Sequence, residues 1–190
     1  MITRSEPKKT AFVSGSGRNI GRAIVLEMAS RGYNVVVNGS SDQDSCEAVA
    51  EEARSHGVGA QVAMGNVGQP DNIRQIGETI FQKFDRIDIL VNNAGILFPT
   101  RVEEISEEEW DLVMNVNLKG PFFLLQSALD HFIQNKYGKV IFTSSITGTS
   151  VSASGHAHYA ATKSGLLGLV KTAAVELSQY NCLLYTSPSP

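Results

Sequence analysis

Short runs of β-branched and aromatic residues recur along this chain with a helical pattern between them, and that alternation restricts the fold more than any other feature. Residues 9–14 read as a buried strand, and a glycine-rich turn leads from it into an apolar-periodic helix over residues 20–31. Residues 34–38 (NVVVN) form a second strand, residues 44–56 a helix, residues 60–64 a third strand and residues 72–84 the next helix. The run at residues 87–91 (IDILV) is apolar almost throughout, as happens when a parallel strand is covered on both faces. Ser106 and Glu109 stand at capping-box spacing, residues 118–134 make a long apolar helix, residues 139–143 (KVIFT) a fifth strand and residues 159–179 a last helix. Strands alternating with helices at this spacing require right-handed crossovers, so the predicted class is α/β: a doubly wound parallel sheet with helices on both faces. At 190 residues and 42% hydrophobic, residues 1–181 suffice for a single domain of this type.

Charge and composition exclude several functions. A net charge of −3 gives no general attraction to nucleic acid or to an anionic membrane. The polar, charged start at residues 1–9 lacks the apolar stretch of a signal peptide, and a cytoplasmic protein is expected. Cys46 and Cys182 are too sparse for a disulfide framework, and His56, His131, His156 and His158 show no metal-ligand spacing, so no metal is expected. The partner that fits is a small molecule.

The first turn reads Ser14-Gly15-Ser16-Gly17-Arg18-Asn19-Ile20-Gly21. Glycines there let the backbone approach a pyrophosphate at a helix N-terminus, where free N–H groups and the helix dipole favour anions. Asn19 tolerates positive φ better than most residues. The second strand ends Asn38-Gly39-Ser40, with no acid for a ribose 2′-hydroxyl; Asp42 and Asp44 fall at the start of the next helix. Arg18 is either a partner for a 2′-phosphate or a solvated loop charge, and NADP is favoured over NAD. Tyr159 and Lys163 stand four apart at a helix start, one above the other on a single face. Tyrosine ordinarily ionises near ~10, and a neighbouring ammonium favours its phenolate.

These motifs resemble the short-chain dehydrogenase/reductase family across residues 10–181. The glycine turn resembles the family's TGxxxGxG, with Ser14 for Thr and Asn19 for its second glycine. Asn92-Asn93-Ala94-Gly95 resembles its NNAG motif, and Tyr159 to Lys163 its YxxxK. The resemblance implies a Rossmann fold and NADP(H) held by the first turn, by Asn38, Gly39 and Ser40, by Asn66 and Val67 at the adenine, and by Asn93, Ala94, Gly95, Tyr159 and Lys163. It implies Tyr159 as the proton-transfer residue, Ser145 rather than Ser144 as the hydroxyl that orients the reacting oxygen, and Asn117 at a helix irregularity, near Pro121, supporting a water chain from Lys163. His156 and His158 read as solvated loop residues. Within the family the chain resembles 3-oxoacyl-carrier-protein reductases, which act in fatty acid biosynthesis. Sugar or polyol dehydrogenases and a silent dinucleotide-binding fragment are the alternatives, and the family implies a homodimer or homotetramer. Residues 182–190 (CLLYTSPSP) break the alternation. They are expected to supply no sixth strand, forming a non-native or disordered tail that resembles translated sequencing adapter.

Overall fold

The computed structural model describes residues 7–189; the charged start, residues 1–6, and Pro190 lie outside them. Six strands, β1 (Thr10–Val13), β2 (Asn34–Val37), β3 (Ala60–Val62), β4 (Ile89–Asn92), β5 (Gly138–Ser145) and β6 (Cys182–Ser189), form one sheet in the order β3-β2-β1-β4-β5-β6. Every pairing is parallel. The order reverses between β1 and β4, and in an open α/β sheet that switch point opens a crevice at the carboxyl ends of the strands.

Successive residues of each central strand enter opposite cores, which is why the strands read as unbroken apolar runs. Ala11 and Val13 of β1, Val35 and Val37 of β2 and Ile89 and Val91 of β4 pack with Val25 and Ala29 of α1 (Asn19–Ser30) and Val49 and Ala53 of α2 (Gln43–Arg54). Phe12, Val36 and Leu90, with Val140 and Phe142 of β5, face the other side. There they meet Ile73, Ile76 and Ile80 of α3 (Pro70–Phe84), Leu124, Leu125 and Phe132 of α5 (Gly120–Asn135) and Leu166, Val170 and Leu177 of α6 (Ala157–Leu177). The short helix α4 (Glu107–Met114) is capped by Ser106, whose hydroxyl accepts from Glu109 N at 3.2 Å.

Two expectations change. Residues 182–189 are a strand after all: β6 pairs in register with all of β5, from Gly138 opposite Cys182 to Ser145 opposite Ser189. Its Ser/Pro composition argues against a central strand, but an edge strand tolerates Pro188 because one side of its ladder is unpaired. His158 is not a loop residue either; it lies in α6 and is fully buried.

Among the described residues no helix is long and apolar enough to cross a membrane, and no three His, Cys, Asp or Glu side chains gather as a metal site. Both cysteines are free and buried.

Candidate active site

The crevice at the switch point is a cleft of about 530 Å³. Its floor is the turn between β1 and α1. Gly15 has φ +60°, and a Cβ there would meet Ala94 Cα at 2.9 Å. A Cβ on Gly21 would stand 2.4 Å from Gly15 O. Asn19, the residue in the second glycine's place, adopts φ +50°. No side chain caps α1 and its first turn carries no acid, so its leading N–H groups face the cleft free to bind an anion.

Two buried polar residues fix this turn. Ser14 Oγ accepts from Asn93 N and Ala94 N, both at 3.0 Å, and Asn93 Nδ2 donates to Ser14 O and Gly15 O at 3.0 Å. The glycine turn and the 92–95 segment are thereby locked together. Ser16 Oγ donates to Val13 O at 2.7 Å and accepts from Asn38 N at 2.9 Å.

Gly15, Gly17, Arg18, Asn19, Ile20 and Gly21 line the cleft, as do Asn38, Gly39, Ser40, Asn66, Val67, Asn93, Ala94 and Gly95. Ser16 does not; its hydroxyl is spent inside the turn. Asn38 borders the cleft, but its amide donates to Ala63 O at 2.8 Å and Gly65 O at 3.1 Å and accepts from Gly15 N at 3.1 Å. It is a structural bracket between β2, β3 and the turn; both its amide hydrogens are engaged, and its Oδ1 keeps one lone pair that could accept from a hydroxyl. Asn66 Oδ1, expected to serve an adenine, already accepts from Gly68 N at 2.9 Å, which leaves its Nδ2 as the freer half.

The structure adds Asp42, Cys46, Phe98 and Leu112 to the lining. Asp42 is the N-cap of α2, accepting from Ser45 N at 3.0 Å and Ser45 Oγ at 2.7 Å. These bonds hold its carboxyl below the usual range, with a smaller contribution from Arg18. The Asp-x-x-Ser spacing signals the cap, but nothing in the sequence signals that the cap borders the cleft.

Two of the chemical residues, Lys163 and Asn117, adjoin this space through Gly95. A Cβ at Gly95 would lie 3.7 Å from Lys163 Nζ and 3.6 Å from Asn117 Oδ1. Asn117 sits in a π-helical turn, Asn115–Lys119, closed by Gly120 N donating to Asn115 O. Pro121 follows directly and has no N–H to offer, so the change of helical pitch falls here. Asn117 makes a two-point bond with Ile96: Ile96 N donates to its Oδ1 and its Nδ2 donates to Ile96 O, each at 2.8 Å. Its side chain thus clasps the 92–96 segment.

Lys163 is almost fully buried, its Nζ donating to Thr143 O at 2.6 Å and lying 5.5 Å from the centre of the Tyr159 ring. Burial pulls its pKa down to about 8. Ser144 Oγ donates to Lys163 O at 3.3 Å, which makes it a strut between β5 and α6. Ser145, also buried, accepts from Thr147 N at 3.1 Å and keeps its own O–H to donate. Tyr159 is half-buried, in the first turn of α6. Asn117, Ser145, Tyr159 and Lys163 do not themselves line the cleft; Lys163 and Asn117 stand behind its Gly95, and a desolvated cation beside a phenol is a pair that can move a proton.

The model of the short chain dehydrogenase family matches residues 9–186. Over 170 residues the chain is 40% identical to the 3-oxoacyl-[acyl-carrier-protein] reductase of Staphylococcus epidermidis, covering 90% of this chain and 69% of that protein. Its counterpart in Aquifex aeolicus is 38% identical, over 93% of this chain and 71% of its own length. Among solved structures, a metagenomic short-chain oxidoreductase in complex with NADP superposes with a TM-score of 0.89 at 32% identity, covering 96% of this chain and 82% of that one. The acetoin dehydrogenase of Salmonella typhimurium gives 0.89 at 28% identity, over 95% and 75%.

Proposed function

This chain belongs to the short-chain dehydrogenase family and is an NAD(P)-dependent oxidoreductase; from that premise we propose that it catalyses reversible NADP(H)-dependent reduction of a carbonyl, with a 3-oxoacyl thioester as substrate. The observation that carries the reading is the buried Lys163 ammonium beside the Tyr159 ring, at the edge of a cleft whose glycine turn is shaped for a pyrophosphate.

The dinucleotide's diphosphate would rest on the N-terminus of α1, its adenosine end between Gly39, Ser40 and Asn66, and its nicotinamide end by Gly95. When bound, the nicotinamide supplies or takes the hydride. The protein's own residues handle the proton. In reduction Tyr159 donates its phenolic proton to the substrate oxygen while the Ser145 hydroxyl, already oriented by Thr147 N, donates a hydrogen bond to the same oxygen. The phenolate left on Tyr159 is stabilised by Lys163, whose charge acts strongly because water is largely excluded from it. Asn117 holds the segment that shapes the floor.

Arg18, exposed at the lip of the glycine turn, supports NADP over NAD because Asp42, the nearby acid, is already engaged by Ser45. The oxoacyl reading rests on the reductases at 40% and 38% identity. The fold's likeness to an acetoin dehydrogenase favours a small ketone as the second reading.

The test is turnover of NADPH and NADH with acetoacetyl thioesters and acetoin. NADPH with a thioester is expected to give the higher kcat/KM, and preference for NADH would refute the cofactor assignment. Tyr159→Phe is expected to lose about 10²–10⁴-fold in kcat, the usual contribution of a positioned general acid. A variant that keeps full rate rules the mechanism out.

A further inference from the structure

Tyr159 is the third residue of α6, a helix that begins at Ala157 behind His156 with no side-chain cap and no acid in its first turn. First-turn residues have no intrahelical partner for their N–H groups, so such a turn frays unless tertiary contacts hold it. The residues after Tyr159 are well held. Thr162 Oγ1 donates to Tyr159 O at 2.7 Å and receives Asn117 Nδ2 at 3.4 Å; Lys163 is tied to Thr143, and Ser164 Oγ donates to Gly148 O. Upstream of the phenol the ties are backbone ones, Ala160 N donating to His156 O at 2.8 Å and Thr100 N to Gly155 O at 3.1 Å. There His158 is fully buried, and its Nε2 lies 3.0 Å from Glu109 Oε1 on α4.

That approach is close in distance but off the hydrogen-bond line. Both ring nitrogens and Glu109 Oε1 are buried with no hydrogen-bond partner among the described residues. Burying an imidazole in that way is costly, and the charge of the carboxylate 3.0 Å away offsets part of the cost. Because α4 runs directly into the π turn that carries Asn117, a tie from Glu109 to His158 couples the first turn of α6 to the segment that shapes the floor of the site.

We propose that His158 and Glu109 are a positioning pair that fixes the first turn of α6 and thereby aims Tyr159 at the substrate oxygen. The pair touches neither cofactor nor substrate; it acts through the helix. The proposal rests on the oxidoreductase reading above, in which Tyr159 transfers the proton.

The experiment measures kcat and KM for NADPH and ketone, with thermal unfolding, for His158→Phe, His158→Gln, Glu109→Ala and the double variant His158→Phe/Glu109→Ala. His158→Phe fills the space without a polar atom. It and Glu109→Ala are each expected to lower kcat by about 10- to 100-fold, the scale of a ~1 Å misplacement, with KM for NADPH nearly unchanged. The double variant is expected to be no slower than either single one, and His158→Gln to recover most of the rate. Wild-type kcat in Glu109→Ala, or losses that multiply in the double variant, overturns the pairing. Should the His158 variants fail to fold, Glu109→Ala still decides it. Failure of the underlying reading looks different: Tyr159→Phe would then keep full rate, which refutes proton transfer by Tyr159 and with it the role assigned to the pair.

Discussion

Lys163 has to be charged to do its work and is buried where charge is disfavoured. Its pKa falls from 10.5 to about 8 through burial alone, roughly 3 kcal/mol at 1.36 kcal/mol per unit. The unfolded chain keeps that proton up to about 10.5 and the folded one only up to about 8, so the penalty is complete below 8 and is relieved as pH climbs between the two values. Lys163→Met is therefore expected to be more stable than wild type at pH 7 by about 1–2 kcal/mol, after allowing for the lost bond to Thr143 O. The advantage should shrink from pH 8 to 10.5. Urea unfolding at pH 7 and pH 10 checks this, and a destabilised variant at pH 7 contradicts it. The spacing of Tyr159 and Lys163 was legible in the sequence because helical geometry follows from residue number. The fates of Asn38 and Ser16 were not, since spacing places a polar side chain beside a cleft without saying which way its hydrogen bonds run. His158 was misread for the same reason: a polar residue just before a helix looks solvated until a second element is seen to cover it.

At the scale of elements, the turn between β1 and α1 has little freedom. A methyl on Gly21 would strike Gly15 O at 2.4 Å, Ser16 Cα at 2.7 Å and Asn93 Nδ2 at 2.8 Å, and two of those three are backbone atoms that cannot step aside. Gly21→Ala is expected to cost about 1–3 kcal/mol of stability, as overpacking does, and to abolish dinucleotide binding, read by NADPH fluorescence. Retention of both would show that the turn is looser than its geometry implies. Alternating apolar runs, the Ser106 cap and the irregularity before Pro121 could all be read in advance, because each has a local chemical cause. The register of β6 has none: the Ser/Pro end of residues 182–189 masks the short run Leu183-Leu184-Tyr185-Thr186, and the strand lies along the open edge that β5 presents.

For the molecule as a whole, the alternation of strand and helix was enough to give the architecture. Right-handed crossovers leave few ways to order a parallel sheet, and the observed order puts the switch point between β1 and β4, beside the glycine turn. The two faces of that sheet enclose separate cores, and each contains one thiol: Cys46 beside the cleft, Cys182 at the start of β6. Burial raises the pKa of both, so neither reacts until its surroundings open. The pair is a native two-channel clock. Saturating NADPH is expected to slow alkylation of Cys46 more than that of Cys182, read by mass spectrometry of the labelled peptides, because a ligand retards only those openings that expel it. Equal slowing of both would mean that the two layers breathe as one.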